Sequence, residues 1–184
     1  MLASRSVGSS SFRSPRVLLR AATAIAEIDD GAVLAGGYAL QLFGSRRLTT
    51  GVDVVAASIP EGLPLTRRLR FGGIKTRVAG VPTKIIVRDD DARGLYEAAR
   101  EAGVAVPDVP LRVVPPAWMV ALKLYAGRAI DLADIETILG WEIERQEVLS
   151  IARRHLGILA AKKLGQIMTL ADWRRESATD SDEE

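Results

Sequence analysis

The sequence contains no cysteine and only one histidine, His155, among its 184 residues. Without cysteine the chain has no disulfide framework, no thiolate zinc site and no cysteine nucleophile. A single histidine, late in a basic helical stretch, argues against a histidine-cluster metal site and against a Ser-His-Asp triad. Any divalent metal ion would therefore need carboxylate ligands, which suit Mg²⁺ or Mn²⁺.

Long apolar runs and aromatic residues are also scarce. No stretch reaches the roughly 18 consecutive apolar residues that cross a bilayer, so we expect no membrane partner. The absence of cysteine is compatible with a reducing cytoplasm, where we expect the protein to reside. Aromatic residues make up 5% of the chain, which gives little support to nucleic-acid recognition by base stacking. The 48% hydrophobic content is nevertheless enough to bury a core.

The residue pattern along the chain indicates four regions. Residues 1–14 are mostly Ser, Gly and Arg, and we interpret them as a disordered tail, with an organelle transit peptide as the alternative. Residues 15–116 alternate short apolar or β-branched runs with helical patterns, which predicts an α/β core. Residues 117–176 predict a helical C-terminal part broken at glycines, and residues 177–184 form an acidic tail.

Within the α/β core, a Gly/Pro turn at residues 79–82 predicts that two strands form a hairpin. Residues 61–71 are predicted as a helix with a basic face formed by Arg67, Arg68 and Arg70. The predicted strands are 32–35, 52–55, 74–78, 83–87 and 111–114, and the other predicted core helices are 17–28, 38–43 and 91–102.

The turn Gly36-Gly37 follows the first predicted strand and precedes a predicted helix. Glycine lets a phosphate approach the backbone closely, and the start of a helix offers N–H groups to an anion. The plainer alternative is a tight turn that needs two small residues. The longer glycine patterns of dinucleotide-binding and P-loop proteins do not occur in the sequence.

Two longer stretches carry a resemblance to a known family. Residues 34–55 contain the Gly-Gly turn, then Arg-Arg-Leu-Thr-Thr, then Gly-Val-Asp at the next predicted strand. Residues 122–135 contain a lysine, an arginine and Asp-x-x-Asp on a predicted helix. This order resembles the small prokaryotic nucleotidyltransferases of the polymerase-beta-like superfamily, above all the abortive-infection-type toxins. The resemblance implies a mixed sheet flanked by helices and followed by a helical part.

The resemblance also implies an activity and its partners. Such proteins transfer a nucleotide from a nucleoside triphosphate (NTP), and two divalent ions clamp the attacking and leaving oxygens. The acceptor would be RNA or protein, and the cofactor would be Mg²⁺. A partner protein would be expected if the chain belongs to a toxin–antitoxin pair.

Residue by residue, the matching positions define a candidate site. Asp53 would hold the metal ion and, together with Lys123, act in catalysis. The phosphate-binding positions would be Gly36, Gly37, Arg46, Arg47, Thr49, Lys123 and Arg128.

The acidic pair Asp131 and Asp134 has two interpretations. The residues are three positions apart and share a helix face, and Arg128 precedes Asp131 by another three. An ion-pair ladder is the simplest account of this spacing. The resemblance adds that the acidic pair helps to shape the site.

The sequence departs from the family's Asp-x-Asp pattern. Gly51 stands where the first aspartate is expected, so only Asp53 remains on that strand. The third carboxylate is expected on a neighbouring strand, where a rough alignment places Lys84. A protonated lysine neutralises phosphate charge but cannot ligate a metal ion. Residues 89–91, three aspartates in a row, are the alternative source of carboxylates.

Two functional hypotheses therefore stay open. The first is an active nucleotidyltransferase, and the second is a degenerate relative that binds a nucleotide, nucleic acid or protein without transfer. The candidate residues also have structural interpretations: Asp53 as a strand-end carboxylate paired with Arg46 or Arg47, and Lys123 as an exposed helix lysine. A purely structural interaction domain is the more distant reading.

Basic residues are numerous around the presumed cleft. A solvated face is the simplest interpretation, and the alternative is a surface that holds RNA or the phosphate tail of an NTP. These residues are Arg46, Arg47, Arg67, Arg68, Arg70, Lys75, Arg77 and Lys84.

Overall fold

The computed structural model describes residues 12–181 as a mixed sheet with helices around it. The strands are β1 (Val33–Ala35), β2 (Val52–Val55), β3 (Arg67–Arg68), β4 (Ile74–Val78), β5 (Val81–Ile86) and β6 (Arg112–Val113). The helices are α1 (Pro15–Ala26), α2 (Gly36–Leu42), α3 (Arg93–Glu101), α4 (Pro116–Ala126), α5 (Ala129–Leu139), α6 (Arg145–Leu156) and α7 (Ile158–Ser181). Residues 1–11 and 182–184, which belong to the two predicted tails, lie outside the described residues.

The six strands follow the order β3-β4-β5-β2-β1-β6 in one sheet. β2 is parallel to β5 and β1 is parallel to β6, whereas the other neighbouring strands are antiparallel. The predicted α/β class, with a mixed sheet flanked by helices and followed by a helical part, is confirmed. Within residues 12–181, no helix combines the length and the apolar character of a membrane span.

The core forms where apolar faces of the helices meet the sheet. β1 is buried along its whole length, as a continuous apolar run predicts for an interior strand. α1 contacts β2, β4 and β5 and buries Leu18, Ala21, Ala22 and Ile25. α4 is buried over most of its length and contacts α3, α5 and α6, so it lies at the centre of the helical half.

The prediction of a basic helix at residues 61–71 is wrong. Pro64 lacks the backbone N–H that a helix interior needs, and its carbonyl instead accepts a hydrogen bond from Thr76. The chain then forms β3, which pairs antiparallel with β4 and places Arg67 opposite Lys75. Arg67 and Arg68 of this segment therefore extend the edge of the sheet.

A buried charge cluster joins the helical half to the segment before β2. Lys123 on α4 is only 7% exposed. Its Nζ lies 2.5 Å from Oδ2 of Asp134 and 3.6 Å from Oδ1 of Asp131, both on α5. The same Oδ2 of Asp134 also accepts a hydrogen bond of 2.5 Å from Nη1 of Arg47. The cluster thus fixes α4, α5 and the chain leading into β2 relative to one another.

We expect Lys123→Met to lower the free energy of unfolding by about 3–5 kcal/mol, because it leaves Asp131 and Asp134 buried without their shared cation. Urea unfolding measures this difference. The matched control is Lys162→Met on the exposed side of α7, where we expect a change within about 0.5 kcal/mol. Equal effects of the two changes would contradict a structural role for the cluster.

Candidate functional site

A cleft of about 740 Å³ lies between one face of the sheet and the side of α4. Five residues of the predicted site line this cleft, although they come from distant parts of the sequence: Gly36, Asp53, Lys123, Arg128 and Asp131. A smaller hollow of about 240 Å³ lies elsewhere, beside Trp118 and His155. The only histidine therefore lines the small hollow and not the cleft.

The sheet side of the cleft is a row of four charged residues in register. Asp53 on β2 pairs with Lys84 on β5, Lys84 pairs with Lys75 on β4, and Lys75 pairs with Arg67 on β3. Directly paired residues in neighbouring strands project on the same face of a sheet. All four residues line the cleft. The register confirms that the strand carrying Lys84 neighbours the strand carrying Asp53, as the rough alignment expected.

Asp53 and Lys84 form an ion pair at the floor of the cleft. Nζ of Lys84 lies 2.9 Å from Oδ1 and 3.1 Å from Oδ2 of Asp53, so the ammonium group bridges both carboxylate oxygens. The side chains are 26% exposed for Asp53 and 38% for Lys84, and both remain accessible to a ligand. The partner of Asp53 is therefore a lysine on the next strand, not Arg46 or Arg47.

The conformation of Gly36 explains why this position is a glycine. Its φ is +68°, a region that residues with a side chain rarely adopt. A Cβ placed there would lie 2.6 Å from Oδ2 of Asp53. The first glycine of the turn thus leaves room for the carboxylate of Asp53.

The residues present do not fit a two-metal site. The carboxylate of Asp53 is already bridged by Lys84, and Gly51 offers no replacement. A Cβ at Gly51 would lie 2.2 Å from the carbonyl oxygen of Pro82, so an aspartate there requires a different backbone. Among residues 12–181 there is no cluster of three or more His, Asp or Glu side chains placed to hold a metal ion. Asp90, from the alternative acidic run, is instead paired with Arg88.

On the helical side of the cleft, the cations are also neutralised. Arg128 donates to both carboxylate oxygens of Asp131 at 2.6 and 2.9 Å, as the predicted ion-pair ladder requires. Lys123 is buried and pairs with Asp134 and Asp131, so the interpretation of Lys123 as an exposed helix lysine is wrong. Its predicted role in catalysis and phosphate binding stays a prediction.

The other predicted phosphate-binding residues do not line the cleft. A Cβ at Gly37 would lie 2.9 Å from Oγ1 of Thr49, so the second glycine packs against that side chain. Arg47 points to Asp134, and Arg46 is exposed. The side chains of Asp53 and Thr49 therefore pack against the two glycines of the turn. This is the arrangement expected of a tight turn that needs small residues.

Arg88 is a residue of the cleft that the sequence pattern did not reveal. Its guanidinium lies 4.3 Å from the ring centre of Phe71, 4.9 Å from that of Tyr96 and 5.2 Å from that of Tyr125. It also makes two hydrogen bonds to Asp90. The three rings belong to different elements, so no local spacing indicates that they surround one cation.

The cleft has an excess of positive charge, and two of its cations are unpaired. Six cationic and three acidic side chains line it. Four of the cations have carboxylate partners. Within the part of the chain that the structure describes, Lys75 and Arg67 form no ion pair and no side-chain hydrogen bond. The uncompensated charge is therefore concentrated toward the edge of the sheet.

Comparison with known proteins gives a distant likeness among the solved structures. No protein-family model matches the chain, and no curated protein matches it. Among solved structures, the chain is similar to a crystal structure from H. pylori described as a candidate nucleotidyltransferase. The sequences are 15% identical, the match covers 90% of this chain and 99% of that chain, and the TM-score is 0.48. Similarity at this level leaves the chemistry of the chain to be inferred from its own residues.

We expect the contribution of Asp131 to stability to disappear at low pH. Burial alone would raise the pKa of Asp131, but the hydrogen bond from Arg128 and the charges of Arg128 and Lys123 outweigh it and lower the pKa. A carboxyl group with a lowered pKa in the folded state stabilises the fold above its unfolded pKa, about 3.9. That contribution is lost as the pH falls through the folded pKa.

Asp131→Asn should therefore lower the free energy of unfolding near neutral pH, and its difference from the wild type should shrink under acid conditions. Urea unfolding over a pH series measures this. Asp172→Asn is the matched comparison: hydrogen bonds from Arg145 and Arg175 lower the pKa of Asp172 as well, but water screens the charges at this half-exposed site, so we expect the same trend with a smaller amplitude. A difference for Asp131→Asn that does not change with pH would indicate a contribution from packing alone.

Proposed function

We propose that this chain is a nucleotidyltransferase-like protein that binds a nucleotide in the cleft through its own cations, without carboxylate-held Mg²⁺. The observation that carries the proposal is the ion pair between Lys84 and Asp53. By the rough alignment with the resembling proteins, the ammonium group of this pair stands near the position of their third metal-binding carboxylate. The chain would then stabilise phosphate charge with a side chain instead of a metal ion.

The convergence of the resembling residues in one cleft supports this assignment. The two stretches that carry the resemblance are separated by most of the α/β core. Gly36 and Asp53 of the first stretch line the same cleft as Lys123 and Arg128 of the second. Unrelated stretches with a chance resemblance have no reason to meet in one cavity.

The charge balance of the cleft supports an anionic ligand. Its lining carries six cationic and three acidic side chains. A cleft lined by an excess of one charge concentrates ligands of the opposite charge. Nucleotides combine several negative charges with an apolar base, and the apolar side chains of Ile86, Met119 and Leu122 line the same cleft.

The proposal limits the chemistry expected of the chain. Two-metal transfer needs carboxylates that hold the metal ions, and Gly51 and Lys84 replace two of them. We therefore expect binding and orientation of the nucleotide rather than metal-assisted transfer. Transfer to RNA or protein and a toxin–antitoxin partnership stay predictions of the resemblance, and a cytoplasmic location stays a prediction from the absence of cysteine.

Calorimetric titration of the full chain with each of the four common NTPs tests the proposal. We expect one of them to bind equally well in EDTA and in Mg²⁺. Lys84→Gln should weaken this binding about tenfold, because a charge-assisted contact to phosphate is lost. Lys162→Gln is the control for a lost lysine on a distant helix, and its affinity should equal that of the wild type.

Binding that disappears in EDTA would show that a metal ion is required and would overturn the proposal. Absence of binding for all four NTPs, with the chain folded by circular dichroism, would remove the nucleotide as the ligand.

A gain-of-metal variant tests whether Lys84 occupies the metal position. Lys84→Asp places a second carboxylate opposite Asp53 on the neighbouring parallel strand, at about the 4.8 Å spacing of paired strands. Two carboxylates so close together favour a divalent cation. We expect calorimetry to detect Mn²⁺ binding by Lys84→Asp but not by Lys84→Asn, which removes the lysine without adding a carboxylate. Mn²⁺ binding by the wild type at equal affinity would contradict the account.

A further inference from the structure

The uncompensated part of the charged row needs its own explanation. Lys84, Lys75 and Arg67 are directly paired across three neighbouring strands. Like charges directly opposite each other destabilise a sheet. Asp53 relieves this repulsion only for Lys84. Lys75 and Arg67 face the cleft and have no carboxylate partner among residues 12–181, so negative charge from a ligand would relieve their repulsion.

The geometry of the row indicates the shape of that ligand. Neighbouring strands are about 4.8 Å apart, so the three cations start from backbone positions that span about 10 Å. The row begins beside Asp53 and ends on β3, which is the edge strand. A single phosphate can contact neighbouring cations of this row, whereas a chain of linked phosphates can lie along the row and contact all three.

We propose that Lys84, Lys75 and Arg67 form a track for a chain of linked phosphates, whose outer end lies against Arg67 at the edge of the sheet. Arg67 suits that position, because a guanidinium binds phosphate through two parallel hydrogen bonds. The lysines suit the inner positions as compact charges on flexible stems. The inference rests on the proposed function, because it takes this cleft as the nucleotide site. It adds that Lys75 and Arg67 contact the phosphates of that nucleotide.

The aromatic residues of the cleft favour a phosphate chain over a single strand of nucleic acid. Strands of RNA or DNA bind with their bases stacked on exposed rings. Phe71, Tyr96 and Tyr125 are the aromatic residues that line the cleft, and all three surround Arg88. One face of each ring is thus occupied by a cation of the chain itself, and the three rings cluster around that cation instead of forming a series of stacking platforms along the track.

Titration of the full chain with inorganic orthophosphate, pyrophosphate and tripolyphosphate tests the track. We expect affinity to rise with each added phosphate and to fall steeply with salt concentration. Lys75→Gln and Arg67→Gln should each weaken tripolyphosphate binding about tenfold. The matched control is Arg68→Gln, which removes the same charge from the adjacent residue of β3 that does not line the cleft, and its affinity should stay within about twofold.

Thermal unfolding distinguishes a lost binding contact from a damaged fold. Lys75→Gln relieves the repulsion with Lys84, so we expect its Tm to rise by about 1–3 °C while tripolyphosphate binding falls. Reduced binding together with a lower Tm would overturn the assignment of Lys75 to the track. Equal affinities for orthophosphate and tripolyphosphate would overturn the track itself.

Titration of the same variants with NTPs distinguishes this inference from the proposed function. It also distinguishes an NTP from inorganic polyphosphate as the ligand. If an NTP binds with dependence on Lys84 but not on Lys75 or Arg67, the track is wrong and the proposed function stands. If tripolyphosphate depends on all three residues and binds as tightly as every NTP, the track is correct and its ligand is inorganic polyphosphate. If an NTP binds more tightly than tripolyphosphate and depends on all three residues, both are supported.

Discussion

The need to neutralise one buried ammonium group determines how the two halves of this protein fit together. Lys123 lies on the most buried helix, where an unpaired charge would be strongly destabilising. α5 supplies Asp131 and Asp134, and Arg47 adds a second cation to Asp134. The cluster therefore fixes α4, α5 and the chain entering β2, and through them the distance between the helical wall and the sheet face.

Carboxylates of the chain also neutralise most of the cations that line the cleft, but not all of them. Lys84 is balanced by Asp53, Arg88 by Asp90, and the helical cations by the acidic pair of α5. Lys75 and Arg67, at the sheet edge, are the lining cations that the described residues leave unbalanced. Charge that the fold does not neutralise is available to a ligand. The interior of the cleft is thus organised by the chain itself, and its outer end is complementary to an anion.

Local sequence patterns were sufficient to predict most helices and strands. They were not sufficient to predict which side chains meet in the cleft. A rough alignment with the resembling family put Lys84 on a strand next to that of Asp53, and the register of β2 and β5 then showed the two residues paired. The absence of the first aspartate of the family's Asp-x-Asp pattern was evident from the sequence, because Gly51 stands at its position. The track could not be predicted, because residues 61–71 have the spacing of a helix, and only pairing with β4 makes Arg67 and Arg68 a strand. The rings around Arg88 could not be predicted either, since they meet only after the chain has folded.

The central claim is that cations of the chain itself, and not a metal ion, meet the phosphates of the ligand. A crystal structure grown with an NTP and Mg²⁺ tests this most directly. The account predicts phosphate oxygens within hydrogen-bonding distance of Lys84, Lys75 and Arg67, with the ion pair between Lys84 and Asp53 intact. A metal ion ligated by Asp53 and bridging the phosphates, with Lys84 displaced, would contradict it.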